Sequence, residues 1–197
     1  MQERQMKADR LAAFSDGVIA VIITVMVLEL KAPEGSRFAD LFPLWPTVIS
    51  YAVSYLFIAI IWVNHHHLMH FVRYSTPRLI WLNFAHLFAV SLLPFATAWV
   101  ARSYLDPIPV VVYGAIFMLV DIAYLVFERE VLMHADASAM PDRARKLARR
   151  RSIAAFAIFG TATCIALFVP FLAFGLICCA LVLHVRPEMI AHSDQLS

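Results

Sequence analysis

Apolar positions come in long runs along this chain, separated by short polar stretches. Residues 11–30, 41–63, 79–100 and 108–127 are such runs, each near the roughly 20 residues that a helix needs to cross about 30 Å of hydrocarbon. The first carries only Asp16 near its start and Glu29 at its far end, the fourth carries only Asp121, and the other two hold no formal charge. The last run, residues 153–185, would span about 50 Å as one helix. It is therefore divided near Val169 and Pro170 into two short helices, the fifth starting earlier in the amphipathic RKLARRRSIAAF stretch. The pattern predicts one all-α, polytopic membrane domain over residues 1–197, with six transmembrane helices near 8–31, 41–70, 77–101, 107–130, 146–168 and 171–186. Five spans is the alternative division.

Composition supports the same class. The chain is 62% hydrophobic and 15% charged, with mean hydropathy +0.76, against about 45–50% apolar and about 25% charged residues in soluble domains. A soluble enzyme is excluded on these grounds, and the net charge of +2 is too small and scattered for a nucleic-acid surface. No CxxC, phosphate-loop or dinucleotide fingerprint occurs. Cys164, Cys178 and Cys179 all lie in apolar segments, where a thiol packs as a small side chain.

Lysine and arginine placement orients the spans. With a cytoplasmic N-terminus, thirteen of the 16 basic residues fall inside, leaving Lys31, Arg37 and Arg102 outside. Both termini of the six-span arrangement then face the cytoplasm, and a cleaved leader is not expected because the first apolar stretch exceeds an ordinary leader core. The arginine-rich loop RARKLARRR reads as a solvated positive flank in preference to a headgroup-binding patch.

Once oriented, the intramembrane polar groups converge on the cytoplasmic leaflet. Arg10, Ser15 and Asp16 open the first helix; WVNHHHLMH closes the second with Asn64, His65, His66, His67 and His70; Asn83 and His86 open the third; Asp121 lies in the cytoplasmic half of the fourth. Such groups are costly in hydrocarbon and face a bundle interior or a hydrated path. A proton or metal site is one reading, and His66 and His70, four apart, share a helical face that metals can use. An interhelical hydrogen-bond network is the other and is favoured, because adjacent histidines point around the helix in all directions.

Along the first helix, Gly17, Val21, Thr24 and Leu28 fall at roughly 0°, 40°, −20° and 20°, one narrow stripe, with Asp16 about 100° away. In a symmetric pore this stripe would present apolar rings around a hydroxyl ring, the first able to gate by dewetting and the second able to replace part of an ion's water shell. The plainer alternative has Thr24 bonding back to the carbonyl four residues earlier in an ordinary packed helix.

Arg10, Phe14, Ser15 and Asp16 form RxxxFSD at the start of the first helix. With the following ITVMVLEL and the WVNHHH end of the second helix, this resembles the signature of the transmembrane protein 175 family of potassium channels, found in endosomes and lysosomes and in prokaryotes. The resemblance implies a passive potassium-conducting channel and not an enzyme, with the first helix at the axis and a single six-helix repeat assembling as a homotetramer. It implies a constriction at Val21, smaller here than the isoleucine or leucine expected, a potassium preference carried by Thr24, and a pore face continued by Leu28. It also implies a structural network holding the pore helix, for which Arg10, Phe14, Ser15, Asp16, Asn64, His66, His67, Asn83, His86 and Asp121 are the candidates; the orientation of the first helix separately places Glu29 at the outer mouth. The chain lacks TVGYG, so the carbonyl-ring filter is excluded and selectivity should be modest. The expected setting is the plasma membrane of a prokaryote, with no cofactor or bound metal. The expected partners are the bilayer, further copies of the chain and monovalent cations, protons among them for some relatives. The rival readings are a proton-coupled secondary transporter using the Asp and His residues and a membrane metalloprotein on the histidine cluster.

Overall fold

The computed structural model describes residues 2–72, 74–134 and 142–184. Arg73 and Arg186, both in the basic set that orients the spans, and the end expected at residue 186 lie outside the described residues, as do the side chains of the arginine-rich stretch apart from Arg150. Helix α1 runs Gln2–Leu28, a short 3-10 helix Phe38–Leu44 leads into α2 (Trp45–Met69), and α3 (Pro77–Ser91) is followed directly by α4 (Leu93–Arg102). Then come α5 (Pro107–His134), α6 (Asp142–Ile165) and α7 (Pro170–His184).

Proline sets many of these boundaries. It opens α3, α5 and α7 and sits in the first turn of α2, where its missing N–H is not needed and its fixed φ suits the helix. At α3, Thr76 adds a cap, its Oγ1 accepting from the Leu79 N–H at 3.1 Å. The third expected helix, 77–101, is broken at Leu92, because Pro94 cannot donate to the carbonyl four residues before it. The two pieces still form one apolar stretch, Pro77–Arg102. Beyond Arg102 the chain turns through Tyr104 and Leu105, at φ 53° and 63°. That left-handed pair costs about 1–2 kcal/mol per residue, offset in part by the burial of Leu105 and its N–H bond to Val100.

Among the described residues, four helical stretches are long and apolar enough to cross a membrane: Ala8–Leu28, Phe38–Met69, Pro77–Arg102 and Pro107–His134. The apolar parts of α6 and α7, Ile153–Ile165 and Pro170–Leu181, are shorter, and α6 begins and ends a few residues before the expected 146–168. These two helices pack on each other, and their buried residues include the small Ala155, Ala162, Ala173 and Ala180, which permit close backbone approach, beside Phe159, Phe174, Ile177 and Leu181. The interior centres on Phe57, whose ring stacks on Phe117 at 4.1 Å and meets Phe159 edge-on at 6.1 Å. A second apolar cluster of Leu11, Leu68, Leu79, Tyr124 and Phe127 closes the end of the bundle where α1 begins.

Candidate functional site

Helix α1 packs on α2, α3 and α4 with one face only. Leu11, Ser15, Ile19, Ile22 and Met26, spaced three or four apart, are buried. The opposite side stays open from Gly17 to Leu28: Gly17 and Thr24 are exposed, Val21 is 60% exposed and Leu28 77%. The stripe read from the sequence therefore lies outside the subunit's own core. Arg10 and Phe14 are exposed as well, and by helical phase they continue the same side toward the N-terminus. Thr24 Oγ1 donates to the Val21 carbonyl at 2.8 Å, three residues back, where the plainer alternative had four. That bond uses the hydroxyl proton and leaves the oxygen's lone pairs outward.

Behind the N-terminal half of this stripe lies a buried polar chain. Ser15 Oγ donates to the Leu11 carbonyl at 2.9 Å and accepts from Asn83 Nδ2 at 2.9 Å. With the Asn83 amide nitrogen so engaged, its Oδ1 accepts from His65 Nε2 at 2.8 Å. The His65 ring stacks on His86 at 5.8 Å and on Phe127 at 5.3 Å, and His86 meets Tyr124 edge-on at 5.6 Å. Asn64 and Asp121 are buried on α2 and α5, the Asn64 backbone carbonyl accepting from the Tyr124 hydroxyl at 3.4 Å.

The structure thus brings together three of the residues expected in the network, Ser15, Asn83 and His86, through His65, and buries Asn64 and Asp121 as well. Arg10, Phe14, His66 and His67 are exposed. Asp16 is only half-buried and accepts from Trp62 Nε1 at 2.9 Å at the rim, so the expected single buried cluster of Arg10, Ser15 and Asp16 is three separate environments. His65 occupies the place assigned to His66 and His67, because 65 falls in phase with the buried positions 54, 58, 61 and 68 of α2. His66 stacks on Trp62 at 5.4 Å and meets His70 edge-on at 5.0 Å. Among the described residues, no group of three or more His, Cys, Asp or Glu side chains could hold a metal ion.

Further polar pairs were not singled out from the sequence. In the other half of the bundle, Ser54 Oγ lies 2.7 Å from both Thr97 Oγ1 and Tyr113 Oη, all three buried. At the C-terminal end of α1, Glu29 Oε2 accepts from Arg102 Nη2 at 2.6 Å. At the far end of α5, buried Glu130 is 3.1 Å from Arg78 Nε at the start of α3. Each pair joins residues distant in sequence, which periodicity within one helix cannot reveal.

The family described as endosomal/lysosomal potassium channel TMEM175 matches residues 10–94. The chain is 38% identical over 171 residues to a potassium channel of a Chryseobacterium species, covering 86% of this chain and 88% of that one. It is 30% identical over 150 residues to the human endosomal/lysosomal proton channel TMEM175, covering 68% of this chain and 30% of the longer human protein. Its fold is similar to the crystal structure of a lysosomal potassium-selective channel TMEM175 homolog from Chamaesiphon minutus, with a TM-score of 0.77, 25% identity, and coverage of 91% of this chain and 97% of that one.

Proposed function

The chain belongs to the TMEM175 family of ion channels, and from that premise we propose that it is a passive potassium channel formed by four copies around α1. The observation that carries this reading is the open stripe on α1: Val21 and Leu28, 60% and 77% exposed, flank exposed Thr24 on a helix whose other face is fully packed. An isolated subunit has no pore, so the stripe meets its counterparts only at a symmetry axis. Apolar Val21 side chains there would form a dewetting constriction, and Thr24 oxygens would replace part of the hydration shell of a passing cation. The buried chain Ser15–Asn83–His65 holds α1 against α2 and α3 and so sets the direction of the stripe.

The setting is a prokaryotic plasma membrane with both termini in the cytoplasm, a reading supported by the basic residues concentrated on one side. No cofactor is required, because permeation needs only the side chains named and the ion itself. Potassium is the main permeant species, with modest preference over sodium, and the name of the human relative extends the question to protons.

Purified protein in liposomes tests the proposal. Potassium flux is expected, and Thr24→Val should bring the potassium and sodium permeabilities together. Absence of potassium current, or the same permeability ratio in Thr24→Val and wild type, counts against the mechanism. Flux that saturates with substrate and follows a pH gradient would indicate a proton-coupled transporter instead.

A further inference from the structure

Helix α1 ends at Leu28, and Glu29 turns off it about 120° from the Gly17–Leu28 stripe. It faces the end of α4, where Arg102 is the last helical residue before the left-handed turn at Tyr104 and Leu105. The two side chains meet at 2.6 Å while staying partly open, Glu29 at 39% and Arg102 at 66% exposure. With Val25, Pro94 and Trp99 they line an open cavity of about 650 Å³ beside α1. The loop that follows adds little net charge: Lys31 and Glu34 are exposed and opposite in sign, and Arg37 pairs with Asp40 at 3.5 Å.

A ring of carboxylates at a pore mouth concentrates cations there. Glu29 is the one acidic residue at the end of α1 itself, yet its charge is matched at contact distance by Arg102. The field of such a pair falls off as that of a dipole and draws cations weakly. We propose that Arg102 controls cation access at this mouth by clamping and neutralising Glu29. The conductance is then held below what the α1 carboxylates alone would support. This rests on the reading of α1 as the pore helix.

Single-channel potassium currents driven from the α1 C-terminal side test it, at about 0.01 M and at about 1 M salt, where the screening lengths are roughly 30 Å and 3 Å. Arg102→Gln leaves one uncompensated carboxylate per subunit and is expected to raise the low-salt current about twofold or more. Glu29→Gln leaves an uncompensated guanidinium and is expected to lower it by a similar factor. Both differences should shrink at high salt. If Arg102→Gln fails to assemble, Glu29→Gln alone decides, since the loss of low-salt current does not depend on the arginine variant. Wild-type current at low salt in Glu29→Gln overturns the inference while leaving the α1 pore intact. Absence of current in the wild type overturns the channel reading itself.

Discussion

Asn83 ties Ser15 of α1 to His65 of α2 through the two ends of one amide, at 2.9 Å and 2.8 Å, with all three side chains fully buried. Removing the amide strands the His65 N–H and one acceptor site on Ser15, and each buried unsatisfied polar group costs about 1–3 kcal/mol. Asn83→Ala is therefore expected to lower stability by about 2–4 kcal/mol, measured as denaturant unfolding in micelles. The assembled fraction should keep its permeability ratio, because Asn83 is buried behind the stripe. A stability loss below about 1 kcal/mol would show that this bridge does not hold α1.

Val21 is the apolar side chain most open on the middle of α1. An apolar ring excludes water by shape and lack of partners, so one polar substitution should wet it. Val21→Asn is expected to raise single-channel conductance severalfold, and Val21→Leu to reduce it. Equal conductance in all three proteins would place the constriction elsewhere.

The stripe on α1 was legible because a 3.6-residue period fixes which residues share a face, and all of Gly17, Val21, Thr24 and Leu28 share one. Periodicity could not say what that face meets, since lipid, a neighbouring subunit and a dewetting pore all accept apolar side chains. The histidines show a different limit. Consecutive His65, His66 and His67 offer the same chemistry, and only their phase against Ser54, Ile58, Ile61 and Leu68 distinguishes the buried one. Ser54, Thr97 and Tyr113 meet from three different helices, which no single-helix pattern reveals. Arg78 with Glu130 and Glu29 with Arg102 likewise depend on distances between helices. Pro94 lies inside the stretch read as one helix, and the break falls at Leu92 just before it.

Asp16 gives a prediction that the structure revises. As a member of a buried ion pair, its loss would cost about 3–5 kcal/mol. Half-buried and accepting a hydrogen bond from Trp62 Nε1, it should cost closer to 1 kcal/mol within one subunit. Asp16→Ala and Trp62→Phe, each of which removes one end of the bond, are then expected to be non-additive, the double variant losing little more than the worse single one. Unfolding of all three in micelles checks this. Additive losses would mean that Asp16 is anchored by something other than Trp62, and a far larger effect on tetramer yield than on subunit stability would place its main partner in a neighbouring copy.

Packing between α5 and α6 supplies a test of the fold that involves no permeation residue. Gly114 is buried, and a methyl group added there would collide with Thr163 Oγ1, with the Thr163 Cβ at 3.5 Å. The threonine hydroxyl is already committed to the Phe159 carbonyl at 2.8 Å, so it cannot swing away without losing that bond. Overpacking of this kind costs about 1–3 kcal/mol, and Gly114→Ala is expected to destabilise by that amount. Thr163→Ala removes the colliding oxygen and leaves the backbone path open at ordinary van der Waals distance. Adding it to Gly114→Ala should recover most of the loss, measured as the coupling in a double-mutant unfolding cycle. Independent, additive effects would mean that α5 and α6 do not approach each other at this glycine.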